Sequence, residues 1–208
     1  NYLTYAYRST DGRHDDDVSR VSAIKRNGNF KITYMYNGLG QVVETEYLDP
    51  AVVLKQTGTS GSYPDLDRFN RVTTSRWTRE VGGGVDFYDI DINYDRNSNI
   101  TLIEDNVHTG FDVEYTMDDV DRLVEAEEGT WSGSAITSQT RDQNWTLDQV
   151  GNWDHATLDL DGDGTFTDPD EYADDRTHND VNELTGRDID DSGSDDYTLS
   201  YDEVGNLT

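Results

Sequence analysis

The chain has 208 residues, with 44 acidic against 16 basic side chains, a formal net charge of -28 and a sequence pI of about 4.1. That charge repels nucleic acid and anionic lipid, no cysteine is present to form a disulfide framework, and no apolar run approaches the ~20 residues that span a bilayer as a helix. The 13 tyrosines and 11% aromatic content exclude the disordered class that charge alone suggests.

One heptad recurs eight times: aromatic, Asp or Asn, any residue, apolar, turn-former, polar, apolar. Copies start at Asp15, Tyr36, Leu66, Tyr94, Met117, Leu147, His178 and Tyr201. Internal repetition outranks other sequence signals, because it makes the chain an array before any site is considered. In chain order, Asp15-Asp16-Asp17 opens the first copy and reads as a solvated turn. Phe30, Ile32 and Tyr34 then alternate with polar residues into Tyr36, the period of a strand. The repeat is weakest before Asp15 and between Val52 and Tyr63. Tyr88, Ile90 and Ile92 lead into Tyr94 in the same alternation. Phe111, Val113, Tyr115 and Met117 follow, and Leu123 to Glu127 reads as their return strand. Tyr197, Leu199 and Tyr201 close the series.

Such alternation predicts strands with one buried and one solvated, acidic face. The fifth heptad position is Gly40, Gly151 or Gly205 in three copies and Ser19, Asn70, Ser98, Asp121 or Asn182 in the others. These residues accept a left-handed backbone or bond their own main chain, so each heptad supplies a turn and the unit is a β-hairpin. Heptad spacings of 21, 30, 28, 23, 30, 31 and 23 residues group into a higher repeat of three hairpins, about 80 residues long. Gly-rich joints at 57–62, 82–84 and 129–134 fall between hairpins. The expected architecture is all-β: residues 1–208 form a single array of consecutive β-hairpins in one continuous sheet. The array reads as a segment of a longer chain.

The heptads carry a family resemblance. Tyr201-Asp202-Glu203-Val204-Gly205-Asn206-Leu207-Thr208 reproduces the Tyr-Asp-x-x-Gly-Arg/Asn-Leu-Thr signature of the RHS or YD-repeat proteins. The blocks at 67–72, 145–153 and 176–185 resemble those of long bacterial surface members. The resemblance implies a sheet of hairpins that spirals into a shell or tube, with chemistry held in other domains. It also implies a secreted or cell-surface location. The uses it leaves open are a shell around a toxin or other cargo, a stalk or filament wall that self-associates, and a carbohydrate- or receptor-binding scaffold. The family's self-cleaving core requires Asp-Pro followed by Gly and Leu. Asp49-Pro50 leads into Ala51-Val52 and Asp168-Pro169 into Asp170-Glu171, so self-cleavage is not expected here.

Outside the repeat, Asp159-Leu160-Asp161-Gly162-Asp163-Gly164-Thr165 follows the D-x-D-x-D-G calcium-loop pattern. Calcium takes six to eight hard oxygens. Asp159, Asp161, Asp163, the Thr165 carbonyl and Asp170, or Glu171 beside it, are the candidate ligands of a structural ion. Asp188 to Asp196 is a less regular version. Catalysis finds no signature: His14, His108, His155 and His178 lack metal-ligand spacing, and neither a nucleophile elbow nor a phosphate-cradling loop is present. Asn99, Asn144 and Asn206 head N-glycosylation patterns, two of them generated by the repeat itself. Trp77, Trp131, Trp145 and Trp153 read as lining rather than a sugar-stacking strip, because aromatics supply most of the buried area in a chain short of aliphatics.

Overall fold

A computed structural model describes residues 2–7, 20–56, 63–166, 168–190 and 192–208. His14, Asp15-Asp16-Asp17, most of the first heptad and the joint at 57–62 lie outside the described residues. The described residues form strands and turns without helix, and the strands follow chain order in one antiparallel sheet. The expectation of an all-β array of consecutive hairpins is met. Two compact units make up the chain, residues 1–92 with 105–107 and residues 93–104 with 108–208.

The first unit contains β1 (Leu3–Ala6), β2 (Ala23–Arg26), β3 (Asn29–Tyr36), β4 (Val42–Tyr47), β5 (Val52–Lys55), β6 (Thr74–Arg79) and most of β7 (Val85–Tyr94). The β2–β3 hairpin closes on Asn27-Gly28, both with positive φ (51° and 84°). That pair of conformations is a type I′ turn, whose twist matches the strands it joins. This turn lies outside the heptad, so the repeat does not predict it.

The second unit contains β8 (Ile100–Asp105, its last residue counted with the first unit), β9 (Asp112–Met117), β10 (Leu123–Trp131), β11 (Ile136–Leu147) and β12 (Trp153–Asp159). It ends with β13 (Tyr172–His178), β14 (Leu184–Asp188) and β15 (Tyr197–Thr198). β15 is shorter than the alternation from Tyr197 to Tyr201 implies. Pairing nevertheless runs on, because Leu199 N–H donates to Thr185 O at 2.9 Å and Tyr201 bridges to Leu207.

Burial differs from the one-face-buried expectation. Among the described residues the buried apolar side chains are Ala23, Val43, Val53, Leu102, Ala156 and Ala173, three of them alanines. Most strand residues on both faces are partly exposed, as in β9 and β11. The physical reason is that the contacts between described strands run mainly to neighbours within the sheet, and one layer buries less apolar area than two stacked ones. Stability in such an array accumulates from strand-to-strand contacts rather than from a central core.

Candidate functional site

The heptads build the most regular local structure. In the copies at Tyr36, Leu66, Met117, Leu147, His178 and Tyr201, positions one and seven are direct cross-strand partners. The five residues between them form the turn. The N–H of position two donates to the carbonyl of position six, as in Asp118 to Arg122 at 2.8 Å and Asp202 to Asn206 at 2.9 Å. The N–H of position five donates back to the carbonyl of position two. Position five is left-handed in every described copy: Gly40, Asn70, Ser98, Asp121, Gly151, Asn182 and Gly205. A β-turn followed by a left-handed residue fits the twist of a hairpin, which is why that position selects Gly and Asn-like residues. One residue past position seven, at Val43, Val124, Asp154 and Thr185, the register shifts by a β-bulge.

Position two is a cap. One oxygen of its side chain accepts from the N–H groups of positions four and six, for example Asp95 Oδ1 from Asn97 and Asn99 at 2.8 Å each. Its other atom meets the position-six side chain, and the two positions are matched in polarity. Where position two is Asp, position six donates: Arg71 Nε to Asp67 at 2.7 Å, Arg122 Nε to Asp118 at 2.6 Å, Asn152 Nδ2 to Asp148 at 2.9 Å. Where position two is Asn, position six accepts: Asn179 Nδ2 donates to Glu183 at 2.7 Å and Asn37 Nδ2 to Gln41 at 3.3 Å. The amides of Asn99 and Asn206 and the N–H of Arg122 hold the carboxyls of Asp95, Asp202 and Asp118 below the ordinary range. At Asp67 and Asp148, desolvation pushes upward, but the bonds from Arg71 and Asn152 outweigh it.

Within each unit the sheet alternates its connections, so these turns share one margin. Along that margin they join one another. In the first unit, Asn37 Nδ2 donates to Asn70 Oδ1 at 2.9 Å, and Asn70 donates back to Gln41. In the second, Asn99 reaches Asp121 at 2.8 Å, Arg122 reaches the Asp148 carbonyl at 2.7 Å, and Asn152 reaches Asn182 at 3.0 Å. At Gln41, Asn99, Arg122 and Asn152 position six therefore fastens its own turn and the next. The apolar fourth position points outward instead, with Leu39, Val181 and Val204 at least 70% exposed.

The other margin carries the acidic loops. Asp159, at the end of β12 and 2% exposed, accepts from the N–H groups of Asp161 (3.1 Å), Gly162 (2.6 Å) and Gly164 (2.8 Å). Burial pushes its carboxyl up, and those N–H groups together hold it below the ordinary range. Glu171 accepts from Leu160 N–H at 2.9 Å and closes the loop. Asp159, Asp161 and Glu171 bring carboxylate oxygens within 4.8 Å of one another. Asp163 faces elsewhere and accepts from the N–H and hydroxyl of Thr165 at 2.7 and 2.8 Å. Asp170 has positive φ (75°) in the turn before β13, and the neighbouring Glu171 takes the closing place.

The loop from Asp188 repeats this design more fully than its spacing suggests. Asp188, 3% exposed, accepts from the N–H groups of Ser192, Gly193 and Ser194 at 2.7 to 3.1 Å. Asp188, Asp190 and Asp196 form a second carboxylate triplet. Between the two loops Asp174 is fully buried and held by Arg176 (2.7 Å) and Arg187 (2.8 Å). The amide nitrogens of Asn99, Asn144 and Asn206 are all engaged by aspartates. Trp145 packs beside Trp153, on which Arg176 stacks at 4.8 Å, and Trp77 packs beside Tyr47. His155 bonds Asp175 at 2.6 Å.

Fold and turn geometry define an all-β array of consecutive antiparallel hairpins. No family profile and no curated protein matches the chain by sequence. Among solved structures it is similar to TcdB2-TccC3-Cdc42, with a TM-score of 0.58, 15% identity, and 91% of this chain matched to 10% of that one. It is also similar to TcdB2-TccC3-TEV and to the Photorhabdus luminescens Tc holotoxin pore with a TccC3 mutation. Each of these gives a TM-score of 0.60, 14% identity, and 99% of this chain matched to 11% of theirs. The likeness is one of fold, and that fold is the antiparallel hairpin sheet the heptads imply. The chain spans about a tenth of the length of the chains it matches.

Proposed function

We propose that the chain is a structural repeat segment of a large secreted or cell-surface RHS/YD-repeat protein. Its task is to build a wall rather than to catalyse a reaction. The observation that carries this is the run of heptad turns in the second unit in which Asn99, Arg122 and Asn152 at position six bond the next turn, so that one hairpin positions its successor. Of the uses open to such a wall, a container is favoured over a filament or a carbohydrate- or receptor-binding scaffold. The structures of similar fold are components of a Tc toxin, among them one described as lacking its hypervariable C-terminal region. Electron microscopy of the whole native protein tests this. A closed hollow particle is expected; rods or fibres growing by head-to-tail self-association would overturn it.

We also propose a structural Ca²⁺ at Asp159, Asp161 and Glu171. Three carboxylates on a Gly-turned loop offer the hard oxygens that calcium takes. Thermal unfolding with calcium against chelator is the test. A rise in midpoint with calcium, lost in Glu171→Gln, is expected, and an unchanged midpoint would count against the ion.

A further inference from the structure

The second unit holds an arrangement that sheets ordinarily avoid. Glu114 on β9 and Glu127 on β10 are direct cross-strand partners, and Glu127 is equally the partner of Asp142 on β11. Cross-strand partners project from the same face, so three carboxylates stand side by side at the ~4.8 Å spacing of neighbouring strands. Like charges placed directly opposite are destabilising. Among the described residues no cation offsets them. The charged groups that act on Glu127 from its own and the flanking strands are Glu114, Glu125 and Asp142. Arg141 belongs to the opposite face by strand alternation. None of Glu114, Glu127 and Asp142 pairs with Lys or Arg among the described residues. Among the described residues the donor to the Glu127 carboxylate is the Gln139 amide, at 3.3 Å.

We propose that this row is a proton-operated fastener: in mild acid Glu127 takes one proton from solvent, relieves both repulsions, and donates its O–H to a flanking carboxylate, tightening β9, β10 and β11. Its chemistry is that of two carboxylates sharing a proton across a strand pair, with no ion required. Partial burial, followed by the neighbouring carboxylates, already raises the Glu127 carboxyl above the ordinary glutamate range. Asp142 is in turn the cross-strand partner of Asp159, so the row abuts the first acidic loop on its β11 side, while Glu127 and Glu114 stand on β10 and β9, away from it.

The test is thermal unfolding of the full chain at constant ionic strength with chelator, between pH 7.5 and 5.5. The wild-type midpoint is expected to rise on acidification by about 2–4 °C for each kcal/mol gained. Glu127→Gln should start from a higher midpoint at pH 7.5 and lose at least half of that rise, while Glu203→Gln in the last turn keeps it. A wild-type pH response in Glu127→Gln, or a midpoint below wild type at pH 7.5, would falsify the proposal. Should Glu127→Gln not fold, carboxyl-resolved NMR titration of the wild type decides. Titration of Glu127 above the ordinary glutamate range upholds the fastener, and titration within or below that range overturns it.

Discussion

The side-chain amide of Asn152 donates to Asp148 Oδ2 at 2.9 Å and to Asn182 Oδ1 at 3.0 Å, so one residue closes its own turn and anchors the turn 30 residues on. Asn152→Ala removes both bonds and leaves the Asp148 carboxylate with only its main-chain donors. The expected loss is about 1–2 kcal/mol, the worth of one to two part-exposed hydrogen bonds. Chemical denaturation measures it. Val150→Ala in the same turn removes an exposed side chain and should change stability by less than ~0.5 kcal/mol. Equal losses in the two variants would sink the fastening role.

The polarity match between positions two and six makes a sharper claim. Asn179→Asp alone sets a carboxylate against Glu183 where an amide now donates at 2.7 Å. Stability should fall by about 1 kcal/mol. Adding Glu183→Asn recreates the Asp202–Asn206 pairing and should recover most of the loss. A double-mutant cycle reads the coupling directly, and additive effects would refute the match.

Two glycines of the first acidic loop separate conformation from space. Both have positive φ, 74° at Gly162 and 79° at Gly164. A Cβ at Gly162 would run into the Gln139 carbonyl of β11, while one at Gly164 meets nothing within 4 Å. Gly164→Ala should cost about 1 kcal/mol, the left-handed penalty. Gly162→Ala should cost clearly more and loosen the loop from β11, seen as faster amide exchange at Gly162 and Gly164. Equal costs would mean that the loop does not rest on the strand.

Asp174 predicts acid behaviour opposite in sign to that of Glu127. Burial pushes its carboxyl up, but Arg187 and Arg176 outweigh this and hold it below the ordinary range. A depressed folded-state value contributes stability above the unfolded-state value near 3.9, lost as pH falls through the folded one. Asp67, Asp95, Asp118, Asp148, Asp159 and Asp202 are depressed too, whereas Asp65, Asp89, Glu127 and Asp142 are raised. Raised groups weaken the fold as pH climbs past their folded values. Stability should therefore peak in mild acid, around pH 5, and collapse below about pH 4. Asp174→Asn should lose about 2–3 kcal/mol at neutral pH, less than a fully buried pair because Arg187 is partly exposed. A stability maximum at pH 7 or above would contradict this assignment.

The hairpins were legible because the heptad states its own chemistry: a left-handed residue at position five and apolar partners at one and seven are visible in one dimension. The fastening was not. Asn152 reads as an ordinary turn residue until the sheet order sets it beside Asn182, and the code linking Asn179 to Glu183 needs the geometry of the cap. The acidic loop showed its calcium-like spacing, yet the choice of Glu171 over Asp170 depends on which side chain the turn into β13 aims inward. The loop from Asp188 looked weak because its aspartates are unevenly spaced, although the N–H groups of Ser192, Gly193 and Ser194 converge on Asp188 as fully as those of the regular loop do on Asp159.

Because one margin keeps the same five-residue turn while the other tolerates anything from a short glycine joint to the loop from Leu160 to Glu171, growth and novelty are separated in space. A hairpin copied by gene duplication arrives with its own coupling residue at position six, ready for the next cap. Length can then be gained by copying alone, and new chemistry can be tried on the far rim without disturbing the seam that holds the copies in line.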